Sequence, residues 1–117
     1  MEPMVKKFES IPAEVFGDEA PGVSIRVLVG EEDGAPVHVL RMLEIEPGGH
    51  TPDHEHPWEH ENYVLSGKGQ VTIAGEDYDV GPGYVLFVPP GVRHQYRCEG
   101  DRTFRFLCGI PVERFRQ

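Results

Sequence analysis

Turn signals recur along this chain at intervals of about 8–12 residues, and that punctuation limits what it can become. Fourteen glycines and eleven prolines fall among 117 residues. They gather as EEDGAP (31–36), EPGG (46–49), Gly67-Lys68-Gly69, Gly81-Pro82-Gly83 and PPGVRH (89–94). Such spacing favours many short elements, and so an all-β domain over a helical bundle.

The stretches between the turns read as strands. VSIRVLV (23–29) alternates, with Val23, Ile25, Val27 and Val29 on one face. VHVLRMLEI (37–45), two strands within NYVLSGKGQVTIAG, EDYDV (76–80), YVLFV (84–88), HQYRC (94–98) and TFRFLCGI (103–110) bring the count to about eight or nine. YVLFV is almost wholly apolar and is expected to be buried on both faces. Tyr63, Phe87, Tyr96, Phe104 and Phe106 sit at strand spacing and read as core. Residues 1–22 form an arm with one or two short elements, and only parts of it and the tail PVERFRQ (111–117) have helical character. The expected architecture is an antiparallel β-sandwich or jelly-roll barrel, closed so as to hide its edges. Residues 1–36 supply the arm and the first strand or strands of one domain, and 37–117 its barrel core.

A length of 117 residues leaves no room for a separate cofactor-binding module or a DNA-binding helix pair. The net charge of −9, from 11 basic and 20 acidic residues, lacks the basic footprint of a nucleic-acid binder and disfavours an anionic membrane surface. No apolar run approaches the ~18 residues of a membrane span, and MEPMVKKFES lacks the apolar core of a secretory signal, so a cytoplasmic location is expected. Cys98 and Cys108 make no disulfide framework; Cys108, beside Phe106 and Leu107, reads as buried packing.

Four of the six histidines lie in HTPDHEHPWEH (50–60). His54 and His56 are two apart, so on an extended segment both imidazoles point to one side. His60 keeps that parity, as do Asn62 and Val64, whereas Glu55, Glu59 and Glu61 have the other. His94 follows the Pro89-Pro90-Gly91 turn, which lets its strand return beside the one carrying His54 and His56. Neutral imidazoles suit Mn, Fe, Co, Ni, Cu or Zn, and three or four on one ion leave coordination positions open. His50 reads as a rim residue or loop cap, and His38 as structural or at a subunit interface. Glu55 and Glu59 read as solvated, with the capacity to orient a ligand imidazole. Gly48, Gly67, Gly83 and Gly91 read as turn residues with special backbone angles.

GGHTPDHEHPWEHENYVLSG resembles the first motif of the cupins, G-x5-H-x-H-x(3,4)-E-x6-G, through Gly48, His54, His56 and Gly67. GYVLFVPPGVRHQYRC resembles the second, G-x5-P-x-G-x2-H-x3-N, through Gly83, Pro89, Gly91 and His94. The resemblance covers about residues 37–110. His60 stands where the family usually has a glutamate. Counting one residue further reaches Glu61, but the spacing to Gly67 and the parity both favour His60. Cys98 replaces the common final asparagine.

The resemblance implies a double-stranded β-helix (jelly-roll) barrel holding one divalent transition-metal ion on His54, His56, His60 and His94, with manganese or iron favoured, as in four-histidine cupins. It implies an enzyme acting on a small oxygenated molecule by dioxygen or Lewis-acid chemistry. The alternative is a metal-dependent binding or sensing module without turnover. Oxalate-decarboxylating relatives keep a glutamate ligand and a two-barrel chain, and this chain shows neither clearly. Small cupins commonly pair through their sheets, and the 23–29 strand offers an edge, so a homodimer is expected.

Overall fold

The computed structural model describes residues 2–112, so the helical expectation for 113–117 lies outside the described residues. Among these, nine strands form: β1 (Glu14–Val15), β2 (Val23–Val29), β3 (His38–Ile45), β4 (His60–Ser66), β5 (Lys68–Ile73), β6 (Glu76–Val80), β7 (Val85–Val88), β8 (His94–Glu99) and β9 (Phe104–Pro111). The arm adds a single 3-10 turn at Phe8–Ser10, and a second such turn spans Glu31–Asp33. The strands make two antiparallel sheets, one ordered β1-β2-β3-β9-β4-β7 and the other β6-β5-β8. This is the jelly roll expected of the punctuated sequence.

Period-two alternation decides which residues meet inside. On β9, Phe104, Phe106, Cys108 and Ile110 are buried, and on β4 His60, Asn62 and Val64. Pairing of β3, β9 and β4 stacks these side chains in rows. Ile45–Phe104 and Leu43–Phe106–Val64 form an apolar floor, and Arg41–Cys108–Asn62 lies one row above it. Truncating either phenylalanine to alanine would cost about 3–5 kcal/mol, so the floor is the main mechanical support of that polar row. Gly69 on β5 makes the packing between sheets possible: the Phe104 ring occupies the space where its side chain would project.

Four expectations need correction. YVLFV is not buried on both faces, because β7 is an edge strand paired only with β4. Its Val88 is fully buried, but Val85 and Phe87 are 73% and 57% exposed on the outer face, beside half-exposed Tyr63. Tyr63 and Phe87 are therefore surface residues rather than core, because a continuous apolar run does not by itself imply two-sided burial. The turn between β4 and β5 is Gly67 alone, with Lys68 and Gly69 already in β5. Strand β2 is also not a free edge, since β1 covers part of it through Glu14↔Ile25 and Val15↔Ser24.

Candidate functional site

The segment 49–54 belongs to no named strand, yet its backbone runs antiparallel to β8. Cys98 N–H donates to the Gly49 carbonyl at 3.1 Å and Thr51 N–H to that of Tyr96 at 2.9 Å. His54 and His94 exchange both backbone hydrogen bonds, at 3.1 and 2.9 Å. Gly91, at φ +76°, turns the chain just before His94, and its N–H donates to the His56 carbonyl at 2.6 Å. The two histidine-bearing stretches, 34 residues or more apart in sequence, are thus held side by side by a backbone ladder, as the prolyl turn suggested, with Thr51, Gln95 and the Arg93–Asp53 pair adding side-chain contacts.

The donor atoms of His54, His56 and His94 lie within 4.8 Å of one another. Ring centroids are 4.2 Å apart for His54–His56, 5.1 Å for His54–His94 and 5.3 Å for His56–His94. His60 forms a fourth wall, its ring 4.8 Å from His94 and 5.3 Å from His56. His60 and His94 are the deep members, 4% and 2% exposed, while His54 and His56 are half-buried. Trp58 stacks on His56 with ring centroids 4.4 Å apart. The cavity they enclose measures about 270 Å³, and the arm adds Phe16 and Glu19 at its edge.

The wiring of the two deep imidazoles fixes what they present to that cavity. His94 Nδ1 lies 2.9 Å from the Val92 carbonyl, which only accepts, so the ring proton sits on Nδ1 and the Nε2 lone pair is free. His60 Nδ1 lies 3.3 Å from the Cys108 sulfur. Both Nε2 atoms are buried with no hydrogen-bond partner among the described residues. A buried polar atom left unmet costs about 1–3 kcal/mol, so two such atoms on neighbouring rings are a strain unless something binds there. Burial pushes the pKa of His60 down to about 2, helped by the nearby His94 and Arg41 charges. Burial also lowers His54 and His94 below the ordinary histidine value. All three are neutral at pH 7, the form that ligates metals.

Glu61 faces the other way, on the exposed side of β4 opposite Phe87. Partial burial, a hydrogen bond with Glu59 and the Glu59 charge push its pKa up to about 7. His50 caps its loop by a 3.0 Å contact from Nδ1 to the Thr51 carbonyl, and His38 packs its ring over Gly109 on β9. Partners of the deep imidazoles are Cys108 and the Val92 carbonyl rather than Glu55 or Glu59.

Sequence reasoning missed the role of Arg41, Cys108 and Trp58 as walls of the cavity. Arg41 was the findable one. It occupies the inward parity of VHVLRMLEI, where Val39, Leu43 and Ile45 are all apolar. Tyr96 and Phe106 are buried as expected and also line the cavity. The Tyr96 hydroxyl donates to Asn62 Oδ1 at 2.6 Å, and Asn62 Nδ2 donates to the Leu107 carbonyl at 3.2 Å. Burial raises the Tyr96 pKa well above the ordinary phenol value, so it stays protonated in this chain of donors.

Comparison with known proteins agrees with this geometry. Residues 41–110 match the cupin domain family. The polyketide cyclase RemF of Streptomyces resistomycificus is 37% identical, with a TM-score of 0.87 over 97% of this chain and 81% of that one. The 1-methylthio-D-xylulose 5-phosphate methylsulfurylase of Rhodospirillum rubrum is 32% identical over 75 residues, 64% of this chain and 48% of that protein. The chain spans about half the length of the curated relatives it matches. A Thermotoga maritima protein described as a predicted oxalate decarboxylase shares the fold alone, at 24% identity and a TM-score of 0.83 over 92% of this chain and 98% of that one. Two histidine-bearing stretches bridged inside a jelly roll, and a family match spanning most of it, lead to one conclusion: this chain belongs to the cupin family.

Proposed function

We propose that this chain is a metal-dependent enzyme acting on a small carbonyl compound, with His54, His56, His60 and His94 as the ligands of one divalent transition-metal ion. The observation that carries the reading is the pair of buried Nε2 atoms on His60 and His94 that have no partner among the described residues, in rings that line a cavity shared with His54 and His56. An all-nitrogen donor set suits several first-row metals, and manganese or iron is the reading carried over from the family resemblance. When bound, the ion supplies Lewis acidity toward a substrate oxygen at the positions the imidazoles leave open.

The chain's own residues do the rest. The Val92 carbonyl and Cys108 fix the orientation of two imidazoles, and Trp58 holds a third by stacking. Phe106 and Leu43 form apolar walls that exclude water from the cavity floor. Lewis-acid chemistry is favoured over dioxygen chemistry because RemF is a polyketide cyclase and the methylsulfurylase is named for a ketose phosphate. Both names describe carbonyl-bearing carbon chains.

Protein as purified should carry close to one transition-metal ion per chain by elemental analysis. It should also accelerate exchange of protons next to the carbonyls of a 1,3-diketone in deuterated water, followed by NMR. His94→Ala should lose most of the metal and the acceleration together while keeping its β circular-dichroism spectrum. Full metal occupancy in that variant would remove His94 from the ligand set, and metal without any acceleration would leave a binding module.

The reading extends to assembly as a homodimer through the outer face of β4 and β7, supported by the exposed Tyr63, Val85 and Phe87.

A further inference from the structure

We propose that Arg41 makes the histidine cavity a site for a small oxyanion, so that the molecule bound there presents a carboxylate or phosphate oxygen to this guanidinium. The inference rests on the cavity being a ligand site but not on the identity of any metal.

Arg41 lies in the middle of β3 and points into the barrel, where it is 7% exposed. Its Nη2 donates to the Cys108 sulfur at 3.2 Å, and its Nε is buried with no partner among the described residues. Among the described residues no carboxylate pairs with it; the ion pairs belong to Arg26, Arg93, Arg97 and Arg105. The chain has 20 acidic residues against 11 basic ones, so carboxylates are not scarce. Of the residues lining the cavity only Glu19 is acidic, and it is exposed at the edge.

An interior guanidinium without a counter-charge is expensive, and buried charges are ordinarily paired. Retaining one here calls for a partner that none of the described residues supplies. Its neighbours sharpen the point. A cation beside four imidazoles works against binding of a metal ion, because the two positive charges repel in a medium of low dielectric. An oxyanion lying between guanidinium and imidazoles would relieve both costs. Guanidinium geometry suits this role, since its planar fork matches the two oxygens of a carboxylate or phosphate. The Cys108 contact leaves Nε free and holds the side chain in place, which is the preorganisation such a site requires. Cavity volume, about 270 Å³, limits the guest or the portion inserted to a small group.

The test is isothermal titration with malonate, its neutral diamide and inorganic phosphate. The protein is used both as purified and after chelator dialysis, with metal content measured in parallel. Malonate or phosphate should bind and the diamide should not; which of the two binds more tightly identifies the source of the oxyanion. Arg41→Gln should weaken that binding by about 10- to 100-fold, the range for losing a hydrogen bond to a charged group. Arg41→Lys, which keeps the charge without the fork, should fall between, and it serves if Arg41→Gln does not fold. Arg41-dependent binding by the dialysed protein would uphold the proposal even if the purified protein held no metal, which would defeat only the metal reading. Unchanged oxyanion affinity in Arg41→Gln and Arg41→Lys would overturn it, as would equal binding of malonate and its diamide.

Discussion

At the scale of single residues, the choice between His60 and Glu61 turns on which way one strand starts. Strand β4 begins at His60, so alternation sends His60, Asn62 and Val64 inward and Glu61 out beside Phe87. His60→Gln should therefore weaken metal binding by more than the roughly 10–100-fold typical of lost supporting contacts. Glu61→Gln should leave it within a few-fold. Competition against a chelator reads both, and the opposite ranking would mean that Glu61 reaches the ion. This parity was legible in the sequence because alternation survives from His54 through Pro57 into β4. Arg41 had the same legibility, since it breaks an apolar face at an inward position. Illegible was the wiring of His60 to Cys108, which depends on β9 lying beside β4, a pairing of residues 48 apart. No local pattern encodes such a neighbour.

Among the elements, the start of the arm is tied to the barrel by a charged clamp that supplements the β1–β2 pairing. Glu44 on β3 accepts from Arg26 on β2 at 3.2 Å and from Arg105 on β9 at 2.6 Å. Both guanidinium carbons lie over the Phe8 ring, at 5.4 and 5.3 Å. Arg26 also donates to the Phe8 and Ile11 carbonyls at 3.2 and 2.7 Å. Burial alone would raise the Glu44 pKa, but the hydrogen bonds and charges of Arg105 and Arg26 outweigh it and hold it below 4.5. A carboxyl with a depressed folded pKa stabilises above its unfolded value, and that contribution disappears as pH falls through the folded value. Glu44→Gln should cost about 1–2 kcal/mol at pH 7, a range set by partial exposure of the arginines. The gap in urea midpoints between wild type and variant should close below about pH 4.5; a gap of the same size at pH 3 would refute the clamp. The elements themselves were largely foreseen, with β2 and β6 at their expected bounds. Exposure of β7 was not, because hydrophobicity alone cannot distinguish an interior strand from an edge strand with an apolar outer face.

For the whole molecule, that outer face has a measurable consequence. Tyr63, Val85 and Phe87 form a contiguous apolar surface on β4 and β7. Light scattering should give about twice the chain mass of 13.1 kDa, and Phe87→Glu should bring it to one chain without loss of the bound metal. A wild-type mass of one chain would end the homodimer reading. The β3–β9 pairing reaches further, into how the molecule is made. It joins His38 to Pro111 and Ile45 to Phe104, the two ends of the barrel, across everything between. During synthesis from the N-terminus β2 can join β3 early, but the other edge of β3 stays open until β9 leaves the ribosome. Arg41 and its apolar neighbours face the cellular milieu for that whole interval, without the floor that later buries them. The cavity is therefore completed only once β9 has joined β3, and chaperone demand should be concentrated before that step.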